Sequence, residues 1–270
     1  MLPDVTGFDH LLILVRDIDR AAAMYAALGF SLTERGHHTG GTCNHTMMLD
    51  GNYLELVSVE RPGPGTAPYV ELLKRHQGPH AIGLATEDAD EVYRQLAARG
   101  LETAPANQFS RPVRLPEGMR EASFRTVRVP KQADLPELFA CHHLTRDVVW
   151  RPEWQEHANG ALRVTGVVIV HSAPDRAAAA WLRLFGEAGL GATRVEFIGP
   201  DAVGARFPGC AWPAGRADGA IAGVVLACRS VEQAAALLRQ AGIAVSSTPA
   251  GGVVPDPAAT CDTVLEFRAA

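Results

Sequence analysis

Four times along the chain a largely apolar run ends at a polar residue. A stretch with apolar side chains every three or four positions follows each one. The runs Phe8–Val15, Ala81–Thr86, Val164–Val170 and Ile221–Cys228 predict strands, and the stretches after them predict amphipathic helices. Ile18, Ala21, Tyr25 and Leu28 form the apolar stripe of the first helix; Ala177, Trp181, Leu184 and Ala188 form that of the third. Asp17, Asp88, Asp175 and Ser230 stand where a side-chain oxygen can accept from the free N–H groups of a first helical turn. Each helix is expected to end at a glycine, namely Gly29, Gly100, Gly189 and Gly242, followed by an apolar residue. Three further β-like runs follow the first helix: Phe30–Arg35, Thr42–Leu49 and Tyr53–Val59. Asp50-Gly51 is the hairpin turn between the last two.

The pattern is a β-α-β-β-β unit repeated over 7–60, 79–143, 161–213 and 219–268, with no clear third strand in the fourth copy. One unit cannot cover both faces of its own sheet, so units are expected to pair. The predicted fold is α+β: four βαβββ units paired into two curved mixed-sheet cups, helices outside, each concave face a pocket. The expected organisation is a pair over 1–143, a linker over 144–160 and a second pair over 161–270. The linker contains Trp150-Arg151-Pro152-Glu153-Trp154, expected to strap across both halves with its two indoles buried.

Composition narrows the function. The 270 residues carry 25 Lys plus Arg against 30 Asp plus Glu, a net charge of −5. That balance argues against a nucleic-acid partner and gives no electrostatic attraction to anionic membranes. Runs such as Leu11–Val15 are too short to span a bilayer, and residues 1–9 lack the pattern of a secretory signal. Five scattered cysteines without CxxC spacing fit a reduced, cytoplasmic protein. Phosphate-loop, dinucleotide and serine-elbow motifs are absent from the sequence.

The paired units, opening with Phe8-Asp9-His10-Leu11 and closing with Tyr53-Leu54-Glu55-Leu56, resemble the vicinal oxygen chelate superfamily. The segment Gly36-His37-His38, with Gly41-Thr42-Cys43-Asn44 after it, is similar to the glyoxalase-like branch. In metal-bearing members, each unit of a pair gives one ligand from its first strand and one from its last. The resemblance therefore implies His10 and Glu55 from the first unit, and His80 with Glu137 or His143 from the second. His10 stands seven residues before Asp17, and His80 eight before Asp88. Equal spacings of 25 residues, Glu55 to His80 and His143 to Val168, favour His143. Chemical likeness to the family favours Glu137. Imidazoles with carboxylates suit Zn, Ni, Fe or Mn.

The implied activity is that of a metal-dependent lyase or isomerase acting on a small oxygenated metabolite through chelation of vicinal oxygens. Glu55 or Glu137 would shuttle the proton. Asn44, His45, Arg111 and Arg125 are the expected substrate contacts. Two alternatives are a metal-free binding or resistance protein of the same fold and an Fe(II) dioxygenase. Val168 and Gly223 replace the first-strand ligands in units three and four, and Glu266 echoes Glu55 without partners. The second pair is thus expected to cap the first or to form a homodimer contact.

Overall fold

A computed structural model describes residues 2–187 and 190–270. The first sheet has eight strands: β1 (Gly7–Leu14), β2 (Gly36–His37), β3 (Thr42–Met48), β4 (Tyr53–Val59), β5 (Gly78–Ala85), β6 (Asn107–Leu115), β7 (Gly118–Val129) and β8 (Glu137–His143). Their spatial order, β2-β3-β4-β1-β5-β8-β7-β6, is two units joined through the antiparallel pair β1·β5. The second sheet contains β9 (Ala161–Val170), β10 (Arg194–Ile198), β11 (Ala220–Cys228), β12 (Val245–Ser247), β13 (Val253–Pro255) and β14 (Val264–Ala269). It runs β10-β9-β11-β14-β13-β12, again centred on an antiparallel pair. The helices are α1 (Ile18–Ala27), α2 (Ala67–Arg75), α3 (Ala89–Ala97), α4 (Arg146–Val149), α5 (Pro174–Phe185), α6 (Val203–Arg206) and α7 (Val231–Gln240). The mixed α+β architecture with two curved sheets is the one the sequence pattern predicts.

Side-chain alternation explains why the faces divide as they do. Leu11, Ile13, Leu54, Leu56, Ile82 and Leu84 point under α1 and α3 into one large core. Val167, Ile169, Leu226, Leu265 and Phe267 of the second sheet join that core from the other side, with residues of α5 and α7. The two halves are also stitched by polar contacts. Asn52 exchanges hydrogen bonds with the Val164 backbone (3.1 and 2.9 Å), and Tyr25 Oη donates to Thr260 O at 3.0 Å.

Asp17, Asp88 and Ser230 cap their helices through side-chain oxygens. Asp175 does not. Pro174 takes the first helical position, which needs no N–H partner, so Ala173 is the cap residue and Asp175 sits in the first turn. Gly189, the expected end of that helix, and Ala188 of its stripe lie outside the described residues. Within them α5 ends at Gly186, with φ +71°.

The expected strand Phe30–Arg35 also does not form. Ser31 bonds instead to His157 Nδ1 and Glu156 O of the connecting segment, leaving only Gly36–His37 to pair with β3. Unit three is shorter than predicted. After β10 the prolines Pro200, Pro208 and Pro213 break strand continuation, and a single turn of helix, α6, follows. In the connector both indoles are half-buried and pack against the first sheet's cluster around Tyr53 and Phe124. Buried His157 and Asn159 tie it down, bonding to Met48 O and Leu28 O.

Candidate active site

The concave face of the first sheet encloses a cavity of about 360 Å³. His10, Asn44, Tyr53, Glu55, His80, Arg111 and Glu137 all line it, beside the apolar Leu12, Val57, Phe109, Phe124 and Phe139. Tyr69, Leu72 and Leu73 of α2 pack against its Leu12 and Val57 side.

One irregularity in β1 builds the site. Phe8 pairs with Leu84 and His10 with Gly83, so Asp9 is an extra, bulged residue. Phe8 and Leu11 both face the helix side, leaving His10, Leu12 and Leu14 toward the cup. The Asp9 carboxylate can then reach its own neighbour: Oδ2 accepts from His10 Nδ1 at 2.6 Å. The same oxygen lies 3.0 Å from His143 Nε2. Burial by itself would raise the Asp9 pKa, but the charge of His143 and hydrogen bonds to both imidazoles hold it well below the carboxylate range. For His10, burial works to lower the pKa, while the hydrogen bond and charge of Asp9, with the charge of Glu55, raise it above the usual imidazole value.

Glu55 follows from strand alternation. Leu54 and Leu56 pack under the helices, so Glu55 faces the cavity. Asn44 Nδ2 donates to Glu55 Oε1 at 2.6 Å, and Oε2 lies 3.5 Å from His10 Nε2. Tyr53 stacks on the His10 ring with centroids 4.4 Å apart. The result is a carboxylate fixed on one oxygen and held beside an imidazole that a second carboxylate orients.

The second unit does not repeat this arrangement. Pairing is symmetric about the centre of β1·β5: His10 faces Gly83 and Leu12 faces Ala81. Ala81 therefore matches His10, both seven residues before their caps. A second bulge leaves His80 as the extra residue of β5, so His80 matches Asp9. Across the parallel neighbours, Leu12 pairs with Glu55 and Gly83 with Phe139. The register thus puts Phe139 where the first unit has Glu55.

His80 and Glu137 line the same cavity but are engaged elsewhere. Glu137 meets Arg128 and Lys131, each at 3.4 Å. His80 sits edge-on to Tyr69, and burial pushes its pKa down to about 4 despite the charge of Glu137. His143 stands behind His10, bonded to Asp9 among Phe124, Tyr53 and Trp150.

Among the described residues no three of His10, Glu55, His80, Glu137 and His143 bring ligand atoms within 4.8 Å of one another. The group that does is Asp9, Cys141 and His143. The first unit's half of a metal site fits: two ligand atoms face each other, and a carboxylate orients the histidine from behind. Ala81 and Phe139 cannot supply the other half. The four-ligand set therefore does not fit this chain.

Of the expected substrate contacts, Asn44 and Arg111 line the cavity, whereas His45 and Arg125 do not. Strand alternation turns them to the opposite face, where His45 bonds Thr33 O and Arg125 pairs with Asp90 on α3. Asp9 and Tyr53 are site residues that sequence patterning did not assign. Asp9 is hidden because a regular strand would point it away from His10.

The second cup is largely filled, leaving a cavity of about 240 Å³ beside Val203, Cys210, Ala222 and Val264. Val203, Phe207 and Cys210 pack onto Val168, Val170, Ala222 and Val264. Glu266 occupies the register of Glu55, as Val225 pairs with Glu266 just as Leu12 pairs with Glu55. It is fully buried against Arg206 (2.9 Å), Arg268 (3.1 Å) and Thr248.

The Glyoxalase-like domain family matches residues 8–185. The chain belongs to that family, within the vicinal oxygen chelate superfamily. A comparison with curated proteins finds no match. Among solved structures, a hypothetical protein from Staphylococcus aureus is similar over 97% of this chain and 99% of its own (TM-score 0.65, 14% identity). A mutant 4-hydroxymandelate synthase from Streptomyces coelicolor is similar over 98% and 92% (TM-score 0.58, 14% identity). Methylmalonyl-CoA epimerase from Mycobacterium tuberculosis covers 54% of this chain and 94% of its own (TM-score 0.41, 19% identity). At these identities the first two show the shared fold.

Proposed function

We propose that the chain catalyses proton transfer at carbon in a small oxygenated molecule, a step of the isomerase or lyase type, within the first cup. The observation that carries this reading is the Asn44–Glu55–His10–Asp9 chain facing a half-open cavity. Glu55 is the base: Asn44 fixes one oxygen, leaving the other to meet a substrate proton. His10, whose protonated form the hydrogen bond and charge of Asp9 favour, stands beside the developing oxyanion.

Chelation by four protein ligands is not part of this reading, because Ala81 and Phe139 stand at two of the four positions. A two-histidine, one-carboxylate iron set loses its second histidine at the same place. A second reading, a metal held by His10 and Glu55 with the remaining positions left to water or substrate, is favoured by the Asp9–His10 bond. Nδ1 bonded to a carboxylate is how metal-ligating imidazoles are commonly oriented.

The experiment is solvent exchange. Small aldehydes, ketones and 2-oxo acids are incubated with the protein in deuterated water and analysed by mass spectrometry. The wild type should label at least one compound at carbon and Glu55→Gln should not. Equal labelling by both proteins removes Glu55 as the base.

A further inference from the structure

Arg111 lines the cavity near Glu55, whose charge favours its cationic form, but among the described residues nothing bonds to it directly. It lies on β6 and is 7% exposed, yet no hydrogen bond or ion pair joins its guanidinium to any described residue. The acids around it make their direct contacts elsewhere. Glu55 is held by Asn44 and faces His10, Glu137 meets Arg128 and Lys131, and Asp9 serves His10 and His143. The guanidinium nitrogens face the cavity, where a ligand carboxylate can supply the hydrogen bonds that the protein does not.

The local backbone makes room for it. Gly36 lies beneath the arginine: a Cβ there would stand 3.0 Å from Arg111 Cδ and 3.2 Å from Nε, and would overlap Asn44 Oδ1. The glycine therefore lets both the arginine and the residue that fixes Glu55 lie close against β2. Next to the guanidinium, Phe109 and Phe124 stack with centroids 5.3 Å apart and interplanar angle 25°, forming an apolar wall of the same cavity.

We infer that this site takes a small monocarboxylate with an apolar body, its carboxylate paired with Arg111 and its body against Phe109 and Phe124. A planar carboxylate matches the guanidinium fork with two parallel hydrogen bonds. A single positive charge balances a monoanion, whereas a phosphate dianion would leave excess negative charge in a cavity that already holds Glu55. The inference deepens the proposed function by naming its substrate class, and it rests on that reading only for the chemistry, not for the binding.

The test is calorimetry and thermal shift with benzoate, phenylacetate and butyrate, against benzamide and inorganic phosphate. It uses the full chain as wild type, Arg111→Gln, Arg111→Lys and Glu55→Gln. Wild type should bind the carboxylates and ignore benzamide. Arg111→Gln should weaken binding by about tenfold or more, with Arg111→Lys in between. Without ligand, Arg111→Gln should melt no lower than wild type, since it removes a buried charge that no hydrogen bond or ion pair of the protein holds. Glu55→Gln should still bind carboxylates even though it loses proton exchange, so failure of the catalytic reading and failure of the anion site are told apart. The inference is overturned if no carboxylate binds, if benzamide or phosphate binds as well as benzoate, or if Arg111→Gln binds unchanged. A lower melting temperature of ligand-free Arg111→Gln would make Arg111 a structural counter-charge and would overturn it too.

Discussion

The imidazole of His10 lies over Gly83, its partner across β1·β5, in the space that a Cβ at residue 83 would occupy. A glycine in the middle of a strand is normally a cost. Here its missing side chain lets the ring lie flat between Tyr53 and β5, with Nε2 toward Glu55. Gly83→Ala should therefore push the ring out of this position. The expected cost is about 1–3 kcal/mol, as for other overpacked cores. Chemical denaturation reads the stability, and the His10 imidazole NMR resonance should move with it.

Asn44→Ala removes the donor that holds Glu55 Oε1 at 2.6 Å inside a buried network. The expected loss is about 1–3 kcal/mol of stability, the penalty of leaving a buried acceptor unmade. Proton exchange should fall together with stability. Asn44→Asp should be worse than Ala, because it sets two carboxylates side by side.

Acid sensitivity should come in part from His80. Its folded pKa is depressed, from 6.5 to about 4, so between those values the unfolded chain binds a proton that the folded chain does not. Stability from this group is intact above pH 6.5 and falls as the pH drops toward 4, by up to about 3 kcal/mol. His80→Gln should flatten that limb of a stability-against-pH curve measured by urea titration.

The second cup should behave as scaffold. Arg206→Met leaves the fully buried Glu266 with Arg268 and Thr248 alone, at an expected cost of about 2–4 kcal/mol. Below the melting temperature of the variant, deuterium exchange and benzoate binding should match wild type. A loss of either, with stability restored by osmolyte, would mean that the second cup takes part in the chemistry.

The strand–cap–helix–glycine rhythm made the fold legible, since Asp17, Asp88 and Ser230 cap helices where the periodicity begins. The alternation around Glu55 likewise located one cavity carboxylate. What the pattern could not carry was register. Counting from helix caps set His80 beside His10 with a difference of one residue, and that residue is a bulge. A bulge leaves no mark in hydrophobic periodicity over so short a span, yet it reverses which face the residue meets. The matching bulge in β1 hid Asp9. The failed strand at 30–35 has another cause, capture of Ser31 by a connector more than a hundred residues away, which no local pattern records.

In the proposed reaction Glu55 transfers the proton without help from a bound metal, and metal stripping tests this most directly. Wild-type protein dialysed against EDTA, verified metal-free by elemental analysis, is assayed for carbon-bound deuterium incorporation into a compound that the untreated protein labels. Labelling by the stripped wild type at the untreated rate, with none by stripped Glu55→Gln, is the predicted result. Labelling that disappears on stripping and returns with added Zn, Ni, Fe or Mn would contradict it.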